Sequence, residues 1–190
     1  MKEKEIRSMQ TEINSQEEMV VEGYAVVFEE PTVLFKVNGV EYKEVIDKRA
    51  FNNTIFKDCC LKYNHSNSVP ILARTRGGSL ELSVDDKGLF FRAKLFDTQA
   101  ARDVYKLVKE GALDKCSFAF LVADNGDEYD RSTRTRRITN IERLFDISIV
   151  DTPAYEQTSI YARSYFLAEV EKETLDREKR RRELLLRTYE

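Results

Sequence analysis

The chain has 190 residues, 42% of them hydrophobic and 34% charged, with a formal net charge of −3. That is enough chain for one domain with a real core plus an appendage, and the acid balance excludes a general nucleic-acid binder. No apolar run approaches the roughly 18 residues of a membrane helix, and the charged start is unlike a secretory leader.

Three cysteines, Cys59, Cys60 and Cys116, suit a reducing compartment better than a disulfide framework. They and the single histidine lack metal-site spacing, so neither metal nor cofactor is expected.

Residues 1–19 are polar and mixed in charge, which predicts a short edge strand or a frayed start. Val20–Phe28 is β-branched and aromatic, a core strand. Asn38-Gly39 between Val33–Val37 and Val40–Ile46 predicts a hairpin, because both residues tolerate the left-handed backbone of a type I′ turn. Asp47 is placed to cap a short helix through Ala50 and Phe51. Cys59–Tyr63 reads as a short strand delivering His65 at its end.

A second hairpin is expected from Leu80–Val84 and Leu89–Leu95 around Asp85-Asp86-Lys87-Gly88. With Asp97 as N-cap, Ala101, Val104, Tyr105, Leu107 and Val108 follow helical spacing up to Gly111. Cys116–Val122 reads as a buried strand with a serine near its start. Asp124–Thr135 reads as an exposed tip, and Arg136–Val150 as a long strand stopped at Asp151-Thr152-Pro153-Ala154. From Ser164 onward, leucines sit among dense Glu, Lys and Arg, predicting a solvated helix with a thin apolar stripe; Arg180-Arg181-Arg182 reads as part of a charged face. The expected class is α+β, built on a mostly antiparallel sheet or barrel.

Ser117, His65 and Asp146 are the parts of a nucleophile, a base and an orienting acid. Spacing alone also fits plainer roles: a serine bonded to backbone, an exposed loop histidine, and a carboxylate facing Arg136 or Arg143. Alternation puts Asp146 with Leu144 and Ser148 on one strand face. Cys116 offers a competing thiol, yet consecutive strand residues face opposite ways, so only one of Cys116 and Ser117 meets His65.

Several stretches, in order, resemble the prohead proteases of tailed bacteriophages, capsid-maturation serine peptidases related to herpesvirus assemblins. They are Glu22–Phe28, Arg49-Ala50-Phe51, Tyr63-Asn64-His65, Ile71–Thr75, Asp86–Leu89, Gly111–Leu113 leading to Cys116–Phe120, and Phe145–Val150 closing on Thr152-Pro153-Ala154. Ala73 and Ala119 depart from the glycines usual at those places. The resemblance implies His65 as general base, Ser117 as nucleophile and Asp146 as third member, with oxyanion donors in the loop after Val150. It implies an assemblin-like barrel wrapped by helices, a catalytic domain over 1–163 and a charged helical tail over 164–190. It implies a serine endopeptidase acting on scaffold, on scaffolding segments of the major capsid protein and on itself, inside the immature capsid of a phage or prophage in bacterial cytoplasm. The alternative reading is a non-enzymatic capsid assembly or scaffold module with the same fold.

Overall fold

The structure is a computed structural model that describes residues 3–9, 13–16, 19–37, 39–151 and 159–187. In chain order the elements are β1 (Glu5–Met9), β2 (Ile13–Gln16), β3 (Val20–Val27), β4 (Thr32–Val37), β5 (Val40–Ile46), β6 (Cys60–Tyr63), β7 (Ala73–Arg74), β8 (Leu80–Val84) and β9 (Gly88–Lys94). Then follow α1 (Gln99–Lys109), β10 (Lys115–Val122), β11 (Asp127–Asp130), β12 (Thr135–Ile138), β13 (Ile141–Val150) and α2 (Ser159–Arg187). The fold is mixed α+β, mostly strands with few helices.

The described strands pair into three sheets, ordered β1-β10-β13-β6-β7, β11-β12-β5-β4 and β2-β3-β9-β8, and their pairing closes no barrel. Adjacent strands run antiparallel except β12 beside β5 and β13 beside β6, which are parallel. The chain divides into two compact units, Met1–Thr158 and Ser159–Glu190. The first holds a core in which Ala25, Leu61, Phe91, Phe118, Phe120 and Ile147 are fully buried. The second is the charged helix, with Leu167, Leu175 and Leu184 exposed along it.

Both expected hairpins form, β4–β5 and β8–β9. Helix α1 buries Ala101, Val104 and Val108, and Gly111 follows it at φ +72°. Its N-cap is Thr98 rather than Asp97: the threonine side chain accepts from the Ala101 amide at 3.2 Å. After Asp47 there are turns, not the expected helix. The Asp47 carboxylate accepts from the Arg49 amide at 2.9 Å, a local bond that competes with helical ones. The expected exposed tip over 124–135 is largely the β11–β12 hairpin. Asp130 ties its turn by accepting from the Ser132 amide and hydroxyl at 2.8 and 2.7 Å.

A β-bulge sets which face of β13 does what. Ala119 pairs with Asp146 but Phe120 pairs with Leu144, leaving Phe145 unmatched. The extra residue moves Leu144 to the face opposite Asp146, against simple alternation. Leu144 thus joins the core while Asp146 and Ser148 share the other face with Ser117.

Of the two readings of the polar start, the short edge strand holds over Glu5–Met9. Strand β1 forms the edge of the five-stranded sheet, and Glu5, Arg7 and Ser8 are buried. Arg7 forks onto Glu44 of β5, with Nε–Oε1 2.5 Å and Nη2–Oε2 2.8 Å, and reaches Glu5 Oε2 at 2.6 Å. Arg136 of β12, opposite Glu44 across the parallel pair, donates to both Glu5 oxygens at 2.7 and 3.0 Å and to Asp127 at 2.6 Å. Each charge there has opposite partners, which is what burial of charge requires. Arg136→Ala should therefore cost about 3–5 kcal/mol, because it leaves two buried carboxylates, Glu5 and Glu44, to share the single charge of Arg7. Arg92→Ala, which removes an exposed pair with Glu22, should cost less than about 1 kcal/mol. Chemical denaturation of the two variants checks the contrast.

Candidate active site

Strand β13 organises the site because it carries Asp146 and lies between the strands that bring the other two residues. Ser117 of β10 sits opposite Ser148 of β13. On the far side β6 runs parallel to β13 and ends at Tyr63. The next two residues, Asn64 and His65, both take left-handed backbone, φ 50° and 51°. Such a pair is uncommon away from glycine and is tolerated where the surroundings hold it. Here the Asn64 amide donates to the Ile149 carbonyl at 3.0 Å, and its side chain bonds both the Asp151 carboxylate and the Asp151 amide. The His65 amide donates to Ser148 Oγ at 3.0 Å. The chain thereby doubles back and lays the imidazole over β13.

All three residues singled out from the sequence come together. His65 Nδ1 lies 2.5 Å from Asp146 Oδ1, and His65 Nε2 lies 2.6 Å from Ser117 Oγ. Ser117 and Asp146 are buried, whereas the histidine ring keeps 14% of its surface exposed. Asp146 is not the partly exposed partner of Arg136 or Arg143 that spacing allowed; Arg143 stacks over Phe145 instead. Cys116 is buried and pairs across to Met9 and Ile149, on the face away from the histidine.

Three groups at the site escape a sequence reading. Ser148 accepts from His65 and offers its hydroxyl to Asp146 Oδ1 at 3.3 Å. Lys4 donates to Asp146 Oδ2 at 2.7 Å. The Arg7 carbonyl lies 2.8 Å from Ser117 Oγ. The weak signal for Ser148 was its place two residues after the acid on one strand face. Lys4 and Arg7 carried none, since mixed charge near the start reads only as a short edge strand or a frayed end. The loop after Val150 is expected to supply oxyanion donors, and its residues 152–158 lie outside the described residues.

A family model described as a caudovirus prohead serine protease matches residues 4–173. The chain belongs to the caudovirus prohead serine protease family. Among curated relatives, the prohead protease of Enterobacteria phage HK97 is 29% identical over 148 residues, covering 75% of this chain and 59% of that protein. The match thus spans well under two thirds of the relative's length. Among solved structures, the bacteriophage T4 capsid assembly protease aligns with TM-score 0.51 and 13% identity, covering 80% of this chain and 99% of that one. At that identity the likeness speaks for the fold alone. The contacts among Ser117, His65 and Asp146 are a feature of this chain's own geometry.

Burial alone would raise the Asp146 carboxyl, but the bonds from His65 and Lys4 outweigh it and hold it down at about 2. An acid held below its unfolded value stabilises the fold above that value and loses the contribution as pH falls. For Asp146 the window runs from about 4 down to about 2, and the contribution is on the order of 2 kcal/mol. Asp146→Asn should therefore melt below the parent at pH 7, with the gap closing as pH falls from about 5 to about 2. Melting curves across that range check it.

Proposed function

We propose that this protein is a serine endopeptidase of prohead maturation, with Ser117 as nucleophile, His65 as general base and Asp146 as orienting acid. The observation that carries the reading is the unbroken contact line Asp146–His65–Ser117 at 2.5 and 2.6 Å. Asp146 holds the Nδ1 proton, which leaves Nε2 free to take the serine proton as Oγ attacks a peptide carbonyl. The same nitrogen returns that proton to the departing amine, and water then releases the acyl group by the reverse route. The ionised acid offsets the positive charge that the ring acquires in between. Scaffold and the scaffolding segments of the major capsid protein are the proposed substrates, and the interior of the immature capsid the proposed setting.

A cysteine nucleophile is disfavoured by where the thiols lie. Cys116 faces the opposite side of the sheet from His65, and burial pushes the Cys59 thiol far above its ordinary range. The segment over 164–190 is proposed as a tail that aids incorporation into the shell or self-association. Its glycine-free, proline-free helix leaves leucines exposed and has little to hold it alone in water.

Ser117→Ala should lower peptide cleavage at least about 10⁴-fold while leaving the melting curve close to the parent's. Full processing of co-expressed capsid protein by that variant, read by mass spectrometry, would remove the assignment. A chain ending at Arg163 should still cut a supplied substrate but enter procapsids less well. A folded but inactive truncation would place the tail in the catalytic unit.

A further inference from the structure

Strand β1 is an odd edge strand. Edges usually carry exposed charges that discourage pairing, but Glu5 and Arg7 turn theirs inward and are 4% and 5% exposed. Arg7 is gripped as a ligand would be: Glu44 forks onto its guanidinium, Glu5 adds a third contact, and the Phe120 ring lies beneath at 5.6 Å. A small cavity bounded by Met9, Leu34, Glu44, Ile46 and Phe118 opens beside it.

The backbone of β1 is as telling as its side chains. It runs antiparallel to β10 with Ser8 opposite Ser117, and the Arg7 carbonyl oxygen lies 2.8 Å from Ser117 Oγ. A carbonyl bond of about 1.23 Å then puts the Arg7 carbon roughly 3–4 Å from that oxygen, overlapping the range of a poised attack. An extended segment paired to a strand edge, with one carbonyl at a serine and one side chain in a matching pocket, is how a peptide binds by strand addition.

The geometry points to β1 as an occupant of the enzyme's own peptide groove, with Arg7–Ser8 the bond presented to Ser117 and Glu44 the residue that reads the basic side chain before it. This rests on the assignment of Ser117, His65 and Asp146 made above. The substrate class follows: an extended segment with arginine or lysine before the cut and a small residue after it. An acid two places upstream meets Arg136, as Glu5 does, and a lysine one place further meets Asp146, as Lys4 does.

The serine hydroxyl has one proton and two acceptors in reach. While it points to the Arg7 carbonyl, the bond to His65 must be donated by a protonated ring and the site is idle. When the hydroxyl turns to neutral Nε2, Oγ is free to bond to the Arg7 carbon as its proton passes to the ring. Collapse breaks the Arg7–Ser8 bond, and the Ser8 amine leaves with that proton. Water then adds to the ester carbon and gives a proton through His65 back to Ser117, leaving the Arg7 carboxylate. The groove is emptied, and the chain begins at Ser8.

The test uses the full chain and its Ser117→Ala variant, incubated alone and with a library of peptides prepared by cutting proteins after glutamate. Intact mass should show loss of residues 1–7 from the parent and none from Ser117→Ala, and library cuts should fall after arginine or lysine before small residues. Glu44→Gln, nearly equal in size, should weaken the preference for basic residues by about tenfold or more; should it fail to fold, the library read with the unaltered protein decides. Cuts after other residue types, or an intact Arg7–Ser8 bond in protein that cuts the library, overturn the inference and leave the serine-peptidase reading standing. Absence of any Ser117-dependent cut overturns both.

Discussion

The site depends on the register of β13 against its two neighbours. On one side Ser148 lies opposite Ser117, and on the other Ser148 lies beside Lys62 and Ile149 beside Tyr63. Strand pairing of this kind is all-or-nothing: a slip of one residue turns every side chain to the other face. One such slip of β10 would hand the thiol of Cys116 to the histidine and bury Ser117 in the core. The fully buried Phe118 and Phe120 on the core side of β10 forbid it, because they would give up their core places to smaller neighbours such as Ser117 and Ala119. The hydrophobic core thus chooses which oxygen meets which nitrogen.

Two departures from regular structure then finish the geometry. The bulge at Phe145 lets β13 serve the core through Leu144 and the site through Asp146 only two residues later. The left-handed pair Asn64-His65 turns the chain back over the strand it has just flanked. Left-handed backbone costs on the order of 1 kcal/mol or more per residue, and here bonds to Ile149, Asp151 and Ser148 offset it. Polar groups that would be expensive to bury singly are instead mutually satisfied, so the site is both strained and stable.

Much of the skeleton was legible in the residues. The β-branched runs, the Asn-Gly hairpin and the stripe ending at Gly111 each carry local chemistry that decides their conformation, and the serine, histidine and acid could be chosen before their meeting was visible. What stayed hidden was non-local. Nothing near Glu44 announces that Arg7 and Arg136 will converge on it, so Arg136 read as a strand residue that could face Asp146 and residues 1–19 as a short edge strand or a frayed start. The bulge was equally silent, since period-two alternation has no local marker for one extra residue. The turn at Asp47 and the cap at Thr98 were missed for a smaller reason: aspartate favours local backbone bonds of several kinds, and the sequence did not say which.

The separation in sequence between the partners at this site also orders events in time. Lys4 waits 142 residues for Asp146, the Arg7 carbonyl waits 110 for Ser117, and His65 waits 81 for its acid. Topologies so rich in distant contacts fold slowly, because long loops must close before any contact rewards them. During synthesis the histidine leaves the ribosome first, the serine second and the acid last. The three can meet only when nearly the whole Met1–Thr158 unit has emerged. A nascent chain therefore carries all its reactive groups apart from one another, and the constellation comes into being in one late step with the sheet that bears it.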